Sequence, residues 1–171
     1  MARIVFGGGC FWGVQAFFNS FRGILSTVVG YANADQPFES LSYQEVCTGT
    51  TGAVEVIDIR YDPSVITLLD LLDAFFGIID PTTRNQQGHD VGLQYRTGIY
   101  YTDPHDLQTI IRKVGEVVER YPQGVATEVR PLVNFYPAEE YHQCYLDKNP
   151  EGYCHIDVSK AHQRFAHLLK G

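Results

Sequence analysis

The chain has 171 residues, 44% of them hydrophobic and 19% charged, with a formal net charge of −7 at pH 7. That length suits one folded domain spanning residues 1–171, and the composition is globular rather than disordered. The acidic balance argues against a nucleic-acid binder, whose footprint is a basic patch, and no apolar run reaches the roughly 20 residues of a membrane span.

Met1-Ala2-Arg3 leads directly into a strand pattern without the apolar core of a signal peptide, which predicts a cytoplasmic location. The four cysteines, Cys10, Cys47, Cys144 and Cys154, show no Cys-x-x-Cys spacing. In a reducing compartment, thiols that matter are catalytic more often than structural.

Arg3 to Gly8 predicts a strand and Phe11 to Asn19 a helix, with Val14, Phe17 and Phe18 at helical spacing. Between the two patterns stand Gly7-Gly8-Gly9-Cys10-Phe11-Trp12-Gly13. Free N–H groups and the helix dipole favour an anion at such a turn, so a thiol there is expected to be partly thiolate at neutral pH. On placement alone Cys10 is either that reactive thiol or a buried cysteine in a tight turn.

Gly23 to Tyr31 reads as a second strand and Asn33 to Ser42 as a loop. The turn-rich segment Leu41 to Gly52 opens into a strand over Ala53 to Tyr61. There Glu55 shares a face with Ile57 and Ile59, while Val54, Val56 and Asp58 share the other. A carboxylate on the more apolar face either pairs with a cation or has its pKa raised by desolvation. The alternative is a glutamate at the solvent boundary of the strand.

Thr67 to Ile79 predicts a core helix, with Leu68, Leu71, Leu72, Phe75 and Ile79 on one stripe. Asp80 to Gly92 is a polar loop too long for an ordinary connector; its Asp90 either serves a site or caps the turn at Gly92. Leu93 to Tyr101 resumes a strand, Asp103 and Pro104 start a helix that ends near Pro122, and Thr127 to Phe135 alternates as a further strand. From Pro137 the chain turns irregular until a last helix over Ser159 to Leu169, on which His162 reads as solvated, as does His167. Cys47 reads as packing and Cys144 as packing or a spare tail thiol. This order predicts an α+β fold, a two-layer α/β sandwich with a mixed, ferredoxin-like sheet and an irregular C-terminal tail.

Four segments together resemble one family, the type A peptide methionine sulfoxide reductases. They are Gly9 to Gly13; Tyr43 with Glu45 to Gly49 and Gly52 to Glu55; Asp90 to Arg96; and His142-Gln143 with Asn149-Pro150 and Gly152-Tyr153-Cys154. The resemblance implies reduction of the S epimer of methionine sulfoxide in proteins, peptides and free form, with thioredoxin as reductant and without metal or other cofactor. By it Cys10 is the nucleophile, Glu55 the acid, Tyr43 and Tyr95 the ligands of the sulfoxide oxygen, and Cys154 the resolving thiol. Phe11 and Trp12 would form the methyl pocket, and Asp90 would support the site.

Two departures stand out. The family commonly has Gly-His-Ala-Glu where this chain reads Gly52-Ala53-Val54-Glu55, and no second resolving cysteine follows Cys154. The expectation is a one-step recycling route. Two rivals remain at this point: a peptide-binding module that grips methionine without redox turnover, and a cysteine hydrolase, for which no histidine has a diagnostic context.

Overall fold

The computed structural model describes residues 2–171. In chain order its first half comprises β1 (Ala2–Gly8), α1 (Phe11–Phe18), β2 (Ile24–Ala32), α2 (Tyr43–Cys47), β3 (Val54–Tyr61) and α3 (Leu68–Ile78). Its second half comprises β4 (Gln86–Gln87), β5 (Asp90–Val91), β6 (Thr97–Tyr101), α4 (Leu107–Arg120), β7 (Glu128–Pro131), β8 (Phe135–Pro137), α5 (Tyr145–Lys148) and α6 (Val158–Arg164).

The sheet order is β7-β6-β1-β3-β2-β8. Its inner four strands are antiparallel throughout and, with α1 and α3 as crossovers, form the split β-α-β arrangement of a ferredoxin-like sheet. Parallel pairing of β7 with β6 makes the sheet mixed, as the sequence predicts. β1 is central because both of its faces are covered. Ile4 and Phe6 pack with Ile57 and Ile59 beneath Phe17, Phe18, Leu71 and Phe75, while Val5 joins Val54, Val56 and Tyr100 on the far face. Phe6 stacks on Phe75 with centroids 4.5 Å apart, fixing α3 over the strand that leads to Cys10.

Four local predictions need correction. The segment Leu41 to Gly52 holds α2, started by a capping box: the Glu45 N–H donates to the Ser42 hydroxyl and the Ser42 N–H to the Glu45 carboxylate, both at 3.1 Å. The loop Asp80 to Gly92 contains the β4-β5 hairpin, held by Gln87, whose amide donates to the Asp80 carbonyl at 2.7 Å and accepts from the Asp80 N–H at 2.9 Å. The strand expected over Leu93 to Tyr101 begins as a 3-10 turn, Leu93–Tyr95. Arg96 stabilises that turn by donating to the Leu93 carbonyl at 3.0 Å and tethers it to the Gly52 carbonyl at 2.8 Å.

The fourth correction is the largest. Thr127 to Phe135 is not one strand: β7 and β8 lie on opposite edges of the sheet. Residues 132–134 alone connect them, a span of at most about 14 Å, so the sheet curls until its edges face each other. The ladder with β6 ends on the Leu132 N–H, which donates to the Tyr101 carbonyl at 2.9 Å, and Pro131 has no N–H to offer a further strand. Asn33 and Asn134 hold the bridge instead: Asn33 donates to the Pro131 carbonyl and accepts from the Val133 N–H, and Asn134 accepts from the Ala34 N–H.

Two side chains also depart from expectation. His162 is half-buried, stacked on Phe17 and donating through Nε2 to the Phe17 carbonyl at 2.9 Å, where solvation was expected. Cys47 is exposed rather than packed, because the turns at the end of α2 hold it outside the core. No helix among the described residues is long and apolar enough to cross a membrane.

Candidate active site

Gly9 and Cys10 alone turn the chain from β1 into α1. Gly9 has φ +85°, which a side chain resists, and a Cβ there would lie 2.7 Å from the Gln87 Cβ and 3.0 Å from the His155 Nε2. The hairpin loop and the tail therefore press on this turn, and His155 Nε2 donates to the Gly8 carbonyl at 2.9 Å. Cys10 is the N-cap of α1 and only 8% exposed.

Burial pushes the Cys10 thiol well above its ordinary range, the Glu55 charge adds to this, and the Trp12 N–H opposes them only in part. A helix terminus favours an anion by about 0.3–1 kcal/mol. Burial penalises the charged form by up to about 4–7 kcal/mol. The sequence-based expectation of a partly ionised thiol is thus corrected: in the resting protein Cys10 is a neutral thiol.

Glu55 reaches the same turn from β3. It is 1% exposed, and its Oε1 accepts the Phe11 N–H at 3.3 Å. Its Oε2 is buried without a partner. Burial pushes its pKa up to about 8, partly opposed by the Phe11 N–H and reinforced by the Asp90 charge. Around neutrality a protonated carboxyl therefore stands beside Cys10 with one oxygen free for an entering group.

The two tyrosines converge from elements that the sequence did not resolve. Tyr43 is the first residue of α2, and Tyr95 ends the 3-10 turn that Arg96 braces. Their hydroxyls lie 3.5 Å apart. Burial pushes Tyr43 up to about 12 and raises Tyr95 further, with the Glu55 charge as the next cause, so both stay neutral donors.

Phe11 is 1% exposed and packs among Val29, Tyr31 and Val46. Trp12 is half-buried and stacks on Tyr145 with centroids 3.8 Å apart and planes 12° from parallel. The indole Nε1 donates to His142 Nδ1 at 3.0 Å. Burial holds His142 below its usual pKa, which suits the neutral ring that this bond requires. Glu139 completes the frame by accepting the Tyr31 hydroxyl at 2.9 Å and the Tyr43 N–H at 3.1 Å.

The sequence assigns no role to His142 or Glu139, although His142-Gln143 is one of the segments that carry the resemblance. We expect Trp12→Phe to keep the stack on Tyr145 but leave a buried ring nitrogen without its donor. The cost is about 1–3 kcal/mol, read from the urea unfolding midpoint. An unchanged midpoint would show that this bond contributes nothing.

Asp90 does not cap the Gly92 turn with its carboxylate; Oδ2 accepts the Tyr153 hydroxyl at 3.0 Å. Tyr153 precedes Cys154, so Asp90 ties the tail to the site. The Cys154 thiol donates to the Ile156 carbonyl at 3.0 Å, and its sulfur rests over Gly13 of α1. Cys144 lies along the same helix, with its N–H on the Gln15 side chain at 2.8 Å. All four cysteines are free. The fold thus gathers Cys10, Glu55, Phe11, Trp12, Tyr43, Tyr95 and Asp90 around one turn and puts Cys154 three residues along α1.

The sequence model of the peptide methionine sulfoxide reductases matches residues 2–170. The chain belongs to that family. Within it, peptide methionine sulfoxide reductase MsrA of Clostridium acetobutylicum is 53% identical over 156 residues, 91% of this chain and 95% of that protein. Among solved structures, Mxr1 from Saccharomyces cerevisiae in reduced form is 42% identical with a TM-score of 0.85, over 91% of this chain and 89% of that one. Mxr1 in complex with Trx2 is also similar, with 30% identity and a TM-score of 0.60 over 84% of this chain and 83% of that one.

Proposed function

We propose that this chain reduces the S epimer of methionine sulfoxide, in proteins, peptides and free form, and is recycled by thioredoxin. One observation carries the assignment of roles: a buried, proton-bearing carboxyl, Glu55, has an unpartnered oxygen beside a buried thiol, Cys10. A sulfoxide oxygen leaves poorly unless protonated, so the reaction calls for a sulfur nucleophile and an acid at one S–O bond.

In this reading the sulfoxide oxygen enters between Glu55 and the Tyr43 and Tyr95 hydroxyls, which donate to it as negative charge develops. The Trp12 face, with Phe11 behind it, takes the substrate's methyl group and excludes water. Cys10 sulfur bonds to the substrate sulfur as Glu55 gives its proton to the oxygen. The thiol proton returns to Glu55, and the oxygen passes to Cys10. Methionine leaves, and Cys10 is a sulfenic acid.

Cys154 then condenses with that sulfenic acid to give a Cys10–Cys154 disulfide and water. A dithiol protein reduces the disulfide, and the structure of Mxr1 with Trx2 supports a thioredoxin in that role. No step calls for a metal or organic cofactor. Residues 1–171 act as a single domain, and the cytoplasm is the compartment that keeps such thiols reduced.

The test uses peptides carrying either sulfoxide epimer with dithiothreitol. Methionine is expected from the S epimer alone. Turnover of neither epimer would reject the reductase and leave the methionine-gripping module as the better reading.

A further inference from the structure

Gly13 is a residue that helix formation disfavours, since any L side chain with good propensity would serve α1 better. Its backbone is not in the left-handed region, so no turn requires a glycine there. What occupies the missing side chain's place is a sulfur atom. A Cβ built on Gly13 would lie 2.6 Å from Cys154 Sγ, whereas the next atom, Ile156 Cδ1, stands at an ordinary 3.4 Å.

We infer that Gly13 is a positioning residue for the resolving step, holding open the seat in which Cys154 waits beside Cys10. The inference rests on the reductase reading. The residues flanking Cys154 are pinned on either side of the turn that bears Cys10: Tyr153 to Asp90 of β5 at 3.0 Å and His155 to the Gly8 carbonyl at the end of β1 at 2.9 Å. Between these two ties the thiol is directed down onto α1, and only a residue without a side chain leaves room for it.

The step it serves is balanced within the chain. Cys154 sulfur attacks Cys10 sulfur, the S–O bond of the sulfenic acid breaks, and the hydroxyl leaves with the Cys154 proton as water. The oxidant is the sulfenic acid that methionine release has just produced.

A side chain at position 13 must move the sulfur by about 1 Å to reach ordinary contact, and a misplacement of that size costs roughly tenfold to a hundredfold in rate. The experiment mixes wild type and Gly13→Ala with one equivalent of sulfoxide peptide and follows methionine and disulfide formation in the same sample. The ratio of the disulfide rate to the methionine rate is expected to fall roughly tenfold to a hundredfold in Gly13→Ala. Melting temperatures supply a second readout: Gly13→Ala should lower the value in the wild-type background and raise it in Cys154→Ala, where the sulfur is gone and helix propensity remains.

An unchanged ratio, or additive melting shifts in the two backgrounds, would overturn the proposal. Methionine formed by wild type without a Cys10–Cys154 disulfide would overturn it too while leaving the reductase reading in place. Absence of methionine from wild type would remove that reading and this one together.

Discussion

Glu55→Gln is expected to slow methionine release in a single turnover by a factor of about 10²–10⁴, the range over which a positioned general acid acts. Glutamine keeps the shape and can still accept the Phe11 N–H, so the loss isolates the proton. The wild-type profile follows from the same group. Burial pushes Glu55 up to about 8, so its proton is on below that pH and is lost as pH rises through it. The burst rate should be level around neutrality and fall above about pH 8, whereas the glutamine variant should show no such fall. Cys10, buried against Glu55, also holds its proton at neutrality.

A stability measurement checks the same pKa without substrate. The folded protein holds the Glu55 proton up to about pH 8, while the unfolded chain releases it near the ordinary 4.5. Between those values the folded state binds more protons, so wild-type stability contains a contribution that is present below about pH 4.5 and lost as pH rises through 8. Relative to wild type, Glu55→Gln should gain about 4–5 kcal/mol across that window. A gain with no pH dependence, or a wild-type activity profile retained in the glutamine variant, would remove Glu55 as the acid.

The second large effect concerns the tail. With thioredoxin as the only reductant, Cys154→Ser should stop after about one methionine per chain, because Cys10 sulfenic acid then lacks the thiol that converts it to a disulfide. The first methionine should still appear, since Cys154 takes no part in oxygen transfer. Peptide mapping of the wild type after one sulfoxide equivalent should recover Cys10 joined to Cys154. Sustained thioredoxin-driven turnover in Cys154→Ser would move the resolving role to Cys47 or Cys144. The half-buried Cys144, whose N–H is held by Gln15 of α1, would be the first to test.

Much of the arrangement was legible because its signals are local. The strand before Cys10, the helix after it and the apolar face that carries Glu55 are properties of a few neighbouring residues, and period and capping chemistry report them. The α2 helix could have been read as well, since Ser42 and Glu45 have the spacing of a capping box. The four ordered segments that resemble the family are likewise local in the chain.

The sequence by itself determined the order of strands and helices, the turn that presents Cys10 and the chemical types gathered in its motifs. Only the tertiary structure decided which groups meet and in what protonation state. The Glu55 carboxyl meets the Phe11 N–H across 44 positions and the Trp12 indole meets His142 across 130, and no local pattern encodes such a pairing. The curl of the sheet sends β7 and β8 to opposite edges, although their residues alternate as one strand. Cys10 is neutral at rest for the same reason. A helix terminus is visible in the sequence and favours the thiolate, but the burial that outweighs it exists only once hairpin, tail and β3 have closed around the turn.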